Sequence, residues 1–356
     1  MTTTDQTGSL ADRLYRDAAA ALELYTVYLG ERLGFYRALA EGGPATAAEL
    51  AARTETVERY AREWLEQQAA GGLVEVDDPS VGEQARRYRL PAEHIGVLVD
   101  RDDLDYAAGE SIQIARVARQ LPELVEVFRN GGAPTPLPWG PEGRAETNRP
   151  RFVNLLGQQW LPAIKDVDER LRADPPARIA DVACGTGWSS IAMALAYPNI
   201  TVHGLDLDAR AIASAQDSAK ARGVADRVTF SATDAGDLQG AGFDLVTIFE
   251  ALHDMSRPVE VLRTLRGLLA DGGALLVVDS AVQDEFSAPA PLRERYEYGW
   301  SVLSCLPSAM GDPETAATGT VMRVATLRRY ATEAGFSDVE ILPITTDYWR
   351  FYRLVR

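Results

Sequence analysis

Ile179-Ala-Asp-Val-Ala-Cys-Gly-Thr-Gly187 is the stretch that decides the fold, because in it an apolar strand with one acidic residue runs directly into a glycine-rich turn. The segment from Trp188 to Ala196 follows with helical spacing of its apolar residues. Gly185 and Gly187 can adopt positive φ angles, and neither has a side chain that would hold a ligand away from the main chain. A strand, a glycine-rich turn and a helix in this order predict a binding site for a nucleotide-like cofactor.

A second strand is predicted at Ile200-Thr-Val-His-Gly-Leu-Asp206, and it ends in a carboxylate 19 residues after Gly187. Such a carboxylate can accept hydrogen bonds from both hydroxyls of a ribose. A dinucleotide fold favours a third glycine where this chain has Ser190. Asp181 would repel a pyrophosphate but could attract an ammonium group, which favours S-adenosylmethionine, a cofactor without phosphate. The alternative is a strand-to-helix turn with a purely structural role.

The chain from residue 179 to 355 resembles the class I S-adenosylmethionine-dependent methyltransferases. Val228-Thr-Phe-Ser-Ala-Thr-Asp-Ala235 resembles the third strand of that family, and Phe243-Asp-Leu-Val-Thr-Ile-Phe-Glu250 resembles the fourth. The turn and strand from Leu268 to Asp279 resemble the fifth. The resemblance implies an α/β fold with a seven-stranded Rossmann-like sheet.

The same resemblance implies which residues contact the cofactor. In the family the aspartate that ends the third strand, here Asp234, meets the adenine amino group. Ala183 stands where the family usually has its first glycine, and alanine is the smallest replacement for it. We expect cofactor contacts from nine residues: Asp181, Ala183, Gly185, Gly187, Asp206, Leu207, Asp234, Ala235 and Phe249.

Ala251-Leu-His-Asp-Met255 resembles the Leu-His-Asp-Trp segment of small-molecule O-methyltransferases of the caffeic acid type, with methionine in place of tryptophan. In those enzymes the histidine acts as general base. Neutral imidazole suits that role because its ordinary pKa is about 6.5. We therefore predict His253 as the catalytic base and Glu250 as a neighbour that orients the substrate or contacts the cofactor. A histidine that only caps a loop is the structural alternative.

The chemistry of methyl transfer narrows the class of acceptor. The methyl carbon of a sulfonium is already electrophilic, so alignment of the nucleophile with it is the main requirement. A phenol with a pKa of about 10 gains from deprotonation as it attacks. The predicted reaction is transfer to a phenolic or enolic hydroxyl of a small molecule, with S-adenosylhomocysteine as product. N- or C-methylation, and a rearrangement without methyl transfer, are alternatives. The pattern contains no compact set of oxygen ligands, so no metal is predicted.

Composition predicts a cytoplasmic two-domain enzyme. The 356 residues are 46% hydrophobic but contain no apolar run of about 18 residues, and the N-terminus lacks a signal-like pattern. Cys184 and Cys305 are too few for a disulfide framework, which indicates a reducing compartment. Lysine occurs only at Lys165 and Lys220, a bias typical of GC-rich bacterial genomes.

The first hundred residues predict a mainly helical winged-helix domain. Leu10 to Ala40 has apolar residues at helical spacing, and Thr46 with Glu49 forms a capping box at the start of the next helix. A further helix is predicted from Val57 to Ala70. Leu73-Val-Glu-Val76 and Arg87-Tyr-Arg-Leu90 predict the hairpin of the wing.

Winged helices commonly bind DNA, so a regulator that senses S-adenosylmethionine is an alternative function. Charge argues against it, because residues 1–100 hold 17 acidic and 10 basic side chains, a net charge of −7, and the whole chain has −16. Phosphates would repel such a surface. The resemblance implies instead that residues 1–100 support a homodimer and wall the substrate cavity. We expect residues 101–160 to be a helical linker with a lid loop, and residues 161–356 to be the catalytic domain.

Aromatic and amide side chains outside the main motifs are candidates for contact with the acceptor. One group lies in or after a loop rich in proline and glycine, and the other on the aromatic segment that follows the fifth strand. These substrate candidates are Trp139, Gln158, Trp160, Tyr296, Tyr298 and Trp300.

Overall fold

The computed structural model describes residues 9–136, 144–238, 240 and 242–356. The chain divides into an N-terminal unit, Met1–Ala118 with Glu142–Pro150, and a C-terminal unit, Arg119–Pro141 with Arg151–Arg356. Among the described residues, no helix is both long enough and apolar enough to cross a membrane.

The N-terminal unit is mainly helical and contains a small antiparallel hairpin. Its first elements are α1 (Leu10–Leu33), α2 (Phe35–Gly42), α3 (Ala47–Thr54), α4 (Glu58–Ala70), β1 (Glu75–Val76), β2 (Tyr88–Arg89) and α5 (Ile95–Leu98). The capping box is confirmed, because the Thr46 hydroxyl accepts from the Glu49 amide and the Glu49 carboxylate accepts from the Thr46 amide. The predicted first helix is broken at Gly34, whose φ of 72° ends α1 and allows α2 to start in a new direction.

Two long segments connect this region to the sheet. Helix α6 runs over Ala108–Asn130 and α7 over Arg144–Arg151. A π-helix, Phe152–Trp160, continues directly from α7. A π-helix is rare and is often found beside functional sites.

The C-terminal unit contains the predicted seven-stranded sheet. Its strands are β3 (Ala177–Val182), β4 (Ile200–Asp206), β5 (Val228–Ala232), β6 (Phe243–Phe249), β7 (Leu269–Ser280), β8 (Asp338–Ile341) and β9 (Trp349–Val355). The strand order is β5-β4-β3-β6-β7-β9-β8. Strands β3 to β7 are parallel, whereas β9 is antiparallel to both of its neighbours. The predicted α/β class and strand number are confirmed.

Helices cover the sheet and bury its apolar strands, as expected for a parallel sheet. They are α8 (Lys165–Arg172), α9 (Trp188–Ala196), α10 (Ala209–Ala221), α11 (Pro258–Leu268), α12 (Leu292–Trp300), α13 (Leu306–Ala309) and α14 (Val324–Glu333). The core includes Val182, Val246 and Leu275 from three adjacent strands, packed with Leu262 and Leu327 from two of these helices.

The carboxyl ends of the parallel strands meet at one edge of the sheet, which we call the C-edge. The C-edge is formed by the last residues of the parallel strands β3 to β7 and by the loops that follow them. In open α/β sheets ligands bind at this edge, where the strand order reverses. The reversal here lies between β3 and β6, so the glycine-rich turn after β3 and the histidine segment after β6 leave the sheet side by side.

Candidate active site

The glycine-rich turn has three successive positive φ angles at alternate residues. They are 56° at Ala183, 53° at Gly185 and 78° at Gly187, the residue that caps α9. A Cβ on Gly187 would lie 2.6 Å from the Phe230 ring, so glycine is required there for both conformation and space. A Cβ on Gly185 would meet no atom of the described residues within 4 Å, which leaves its main chain open to a ligand.

Asp181 is completely buried beneath this turn. Its Oδ2 accepts hydrogen bonds from the hydroxyls of Ser189 and Ser190, both at 2.6 Å, and its Oδ1 accepts one from Thr247 at 2.8 Å. Burial raises the pKa of the Asp181 carboxyl, although these hydrogen bonds oppose the rise. The side chain has no accessible surface, so it ties the start of α9 to β3 and β6 rather than presenting its charge to solvent.

Asp206, at the end of β4, faces the turn. Its Oδ2 accepts a hydrogen bond from the Gly185 amide at 2.9 Å, and its Oδ1 accepts one from the Asp208 amide at 2.9 Å. Each carboxylate oxygen can accept more than one hydrogen bond. The carboxylate therefore fixes the turn and retains capacity to accept further donors.

The other predicted cofactor residues lie along the C-edge. Leu207 follows Asp206 and is 74% exposed, which is unusual for a large apolar side chain. Asp234 is exposed, and it caps a short 3-10 turn by accepting from the Gly236 amide at 2.7 Å. Ala235 is half-buried, and Phe249 is buried at the end of β6.

His253 lies in a short 3-10 turn after β6 and is only 2% exposed. Its Nδ1 is 2.7 Å from Oδ1 of Asp279, near the end of the neighbouring strand β7. Its Nε2 lies 3.4 Å from Oδ1 of Asp254. Burial alone would lower the pKa of the imidazole, but the charges of Asp279 and Asp254 outweigh burial and raise that pKa well above its ordinary value. The pair of carboxylates thus stabilises the protonated ring.

Cys305 belongs to the same cluster, although it is 52 residues away in the sequence. The π-helix Ser301–Cys305 carries its buried side chain to the histidine segment. The sulfur, an Asp254 oxygen and a His253 ring nitrogen lie within 4.8 Å of one another. Of this cluster, only His253 was predicted from the sequence, whereas Asp254, Asp279 and Cys305 were not predicted as its neighbours.

Glu250 lies in a second acidic group beside the cluster. Its φ of 49° is unusual for a residue with a side chain, and its amide donates to the Val278 carbonyl at 2.7 Å. The Ser280 hydroxyl lies 3.4 Å from Glu250 Oε1 and 3.0 Å from Oε2 of Glu297 on α12. Glu297 also pairs with Arg293. Burial, with help from the Glu250 charge, raises the pKa of Glu297 to about 7.

Helix α12 contributes a second buried carboxylate, Glu294. Its Oε1 accepts from Arg323 at 2.8 Å, and the same guanidinium donates to the Tyr298 hydroxyl at 3.2 Å. Sequence reasoning proposed only the aromatic residues of this helix for the site. Glu294 and Glu297 are three residues apart, so they share one helix face, and that spacing was the signal available in the sequence.

The remaining substrate candidates have different surroundings. Trp160 is buried, and its ring packs edge-on against Trp349 and Phe351 with centroids 5.4 and 5.2 Å away. Gln158 is exposed on the π-helix. Tyr296 is partly exposed and meets Trp300 edge-on with centroids 6.0 Å apart. Trp139 lies outside the described residues.

Comparison with protein families finds two matching domains. A family described as a methyltransferase domain matches residues 174–322, and a family described as an Rv2258c-like winged HTH domain matches residues 20–100. These matches cover the two regions in which the sequence predicted a cofactor fold and a winged helix.

Among curated proteins, the chain is similar to 27-O-demethylrifamycin SV methyltransferase of Amycolatopsis mediterranei. The two are 36% identical over 104 residues, which is 29% of this chain and 38% of that protein. The chain spans between about a quarter and a half of the length of the first curated relatives that it matches.

Solved structures resemble the chain over nearly its whole length. A candidate O-methyltransferase of Nostoc punctiforme has a TM-score of 0.70 and 22% identity, with 99% of this chain and 100% of that chain covered. Human N-acetylserotonin methyltransferase, solved with S-adenosylmethionine, has a TM-score of 0.70 and 17% identity, with 99% of both chains covered. At these identities the likeness shows a shared two-domain fold.

Proposed function

We propose that this chain, a class I methyltransferase with an N-terminal winged-helix domain, transfers a methyl group from S-adenosylmethionine to a hydroxyl of a small molecule. The observation that carries the proposal is the position of His253. It leaves the sheet next to the glycine-rich turn, and Asp279 fixes its ring at 2.7 Å.

The cofactor is proposed to lie over the glycine-rich turn. The open main chain at Gly185 would receive its methionine portion, and Asp206 would accept the ribose hydroxyls. The exposed Leu207 gives an apolar contact for the adenine, and Asp234 a carboxylate for its amino group. When bound, the cofactor supplies the electrophilic methyl carbon.

Asp181 has a different role from the one expected from sequence. A direct contact with the ammonium of the cofactor requires accessible surface on the carboxylate, and Asp181 has none. Its three hydroxyl partners instead hold the end of β3 and the start of α9 together. We infer that Asp181 positions the turn and acts on the cofactor only through it.

His253 is proposed to take the proton of the acceptor hydroxyl during attack on the methyl carbon. In the neutral ring Asp279 accepts from Nδ1–H, so Nε2 is then the nitrogen that carries the lone pair. Asp279 and Asp254 both favour the imidazolium that forms, which makes the ring a stronger base. A group that releases a proton on methylation, such as a phenolic or enolic hydroxyl, uses this arrangement best.

Side chains around the base would orient the acceptor. Glu250 is held by an unusual backbone angle toward the Ser280 hydroxyl, where it can accept a hydrogen bond from a polar group of the substrate. Tyr296 and Trp300 offer ring faces and edges to a flat molecule. N- or C-methylation is the second candidate, because the same alignment serves an amine or an enol carbon.

Two further properties belong to the proposal. Helix α1 exposes the apolar side chains of Leu10, Leu14, Tyr15 and Leu22, which fits burial in a homodimer. In analytical ultracentrifugation the protein should then sediment with the mass of two chains. A cytoplasmic enzyme of secondary metabolism is in keeping with the reducing composition and with the rifamycin-type relative.

Mass analysis of products tests the reaction. The purified chain is incubated with S-adenosylmethionine and panels of phenols, enols and amines. A hydroxyl product heavier by one methyl, together with S-adenosylhomocysteine, is the expected result. Methylated amines only would favour the second candidate, and a product of unchanged mass would indicate a rearrangement.

A further inference from the structure

Three side chains with metal-binding atoms converge after β6. They are His253 and Asp254 from the 3-10 turn and Cys305 from the end of the π-helix, and their candidate atoms lie within 4.8 Å of one another. An imidazole, a carboxylate and a thiolate together form a ligand set typical of zinc. Proteins rarely use such a mixed set for magnesium or calcium, which prefer oxygen ligands alone.

The orientation of His253 is that of a metal ligand. Its Nε2 is buried and faces the Asp254 carboxylate, 3.4 Å away, and the Cys305 thiol, with which the ring also interacts. Its Nδ1 is held by the Asp279 carboxylate at 2.7 Å. A histidine that binds a metal commonly has its second ring nitrogen fixed by a carboxylate in this way.

Distances and charges also fit a small divalent ion. The 3.4 Å between His253 Nε2 and Asp254 Oδ1 is close to the edge of about 3.3 Å expected for a tetrahedron with bonds of about 2.0–2.1 Å. The charges of Asp254 and Asp279 favour a cation. The Asp254 side chain is 34% exposed, so an ion can reach the cluster from its side.

We propose that His253, Asp254 and Cys305 bind a zinc-like divalent cation, and that the bound ion suppresses methyl transfer. Binding follows from the geometry of the cluster alone. Suppression rests on the proposed function, because the Nε2 lone pair cannot coordinate a metal and accept a proton at the same time. The ion is therefore a regulator that competes with the acceptor's proton for one nitrogen.

Cobalt(II) is the probe, because a cobalt-bound thiolate has a charge-transfer absorption in the near ultraviolet. Titration of the full chain should give this band with one cobalt per chain, and zinc should abolish it. Cys305→Ser should lose the band, whereas Cys184→Ser, which changes the other cysteine, should keep it. Asp279→Asn should keep the band but weaken cobalt affinity by about 10–100-fold.

A missing band, or a band that survives in Cys305→Ser, would overturn the binding site. Circular dichroism verifies that each variant is folded, and Asp254→Asn, expected to weaken cobalt binding, tests the site if Cys305→Ser does not fold. The activity arm is separate: zinc should inhibit methyl transfer and a chelator should reverse it. Activity that requires zinc would overturn suppression, whereas absence of any methyl transfer would count against the proposed function and leave the cobalt result to stand alone.

Discussion

The glycine-rich turn and the histidine cluster follow adjacent strands at the C-edge, yet they are built in different ways. The turn is made from one continuous stretch, and backbone amides and glycine conformations define it. The cluster brings together His253, Asp279 and Cys305 from three separate elements, and buried titratable groups define it. In the proposed function the turn binds the cofactor and the cluster transfers the proton, so a substitution in one should leave the property of the other intact.

Removal of the imidazole should have the largest effect. His253→Ala is expected to lower methyl transfer by roughly 10²–10⁴-fold, because the proposed general base is removed. Steady-state turnover with a phenolic acceptor measures it. His203→Ala is the matched control, since the His203 ring hydrogen-bonds to the Ser231 hydroxyl within the sheet and its loss should leave turnover unchanged. An equal loss of turnover in His253→Ala and His203→Ala would contradict a specific role for His253 in catalysis.

The buried carboxylate Glu297 should make stability depend on pH. Burial raises its pKa from 4.5 to about 7 in the folded chain, so the folded state holds the proton more tightly than the unfolded state. Its contribution is fully present below pH 4.5 and is lost as pH rises through 7. At 1.36 kcal/mol per pKa unit, this loss is at most about 3 kcal/mol.

Urea unfolding at several pH values between 4.5 and 8 measures this loss. Glu297→Gln should remove that part of the pH dependence, and the exposed Glu333→Gln should follow the original chain. Parallel curves for all three proteins would show that Glu297 does not titrate in this range. Arg293 next to Glu297, and the more distant Glu250 and His253 charges, also act on this carboxyl.

In the glycine-rich turn, Asp206→Ala should weaken cofactor binding by about 1.5–3 kcal/mol, the usual range for hydrogen bonds to a charged group. Asp208→Ala provides the control, because Asp208 is near in sequence and its side chain caps α10 and pairs with Arg210. Calorimetry with S-adenosylhomocysteine measures both. Unchanged affinity in Asp206→Ala would exclude its carboxylate from the site.

The smallest effect concerns the backbone of the turn. Ala183 has a φ of 56°, a conformation that costs an alanine energy but a glycine almost none. Ala183→Gly should raise the free energy of unfolding by about 1 kcal/mol. Ala180→Gly, in the adjacent strand, should lower it. Denaturant unfolding measures both, and a destabilised Ala183→Gly would contradict the strain.

The same comparison explains what could be predicted from sequence. The turn and the strands were visible because apolar runs, glycines and terminal acids are close in the chain. The partners of Asp181 were not visible, because Thr247 reaches it only through the pairing of β3 with β6. The sequence identified Asp181 as a candidate acidic residue of the site, but it did not reveal that the side chain is buried.

The cluster was only partly predictable. The motif around His253 identified one member, and Asp279 could have been inferred from the adjacency of the fourth and fifth strands. Cys305 could not, because a π-helix far along the chain sets its position, and apolar spacing does not reveal such a helix. Long-range packing thus determines the chemistry that local sequence leaves open.

The most direct test of the central claim is calorimetric titration with S-adenosylhomocysteine of three proteins, namely the original chain, Asp206→Ala and His253→Ala. If the turn and the cluster have separate roles, the original chain should bind S-adenosylhomocysteine. Asp206→Ala should bind it roughly 10–150-fold more weakly, and His253→Ala should bind it as tightly as the original chain. No binding by the original chain, or an equal loss in both variants, would contradict the account.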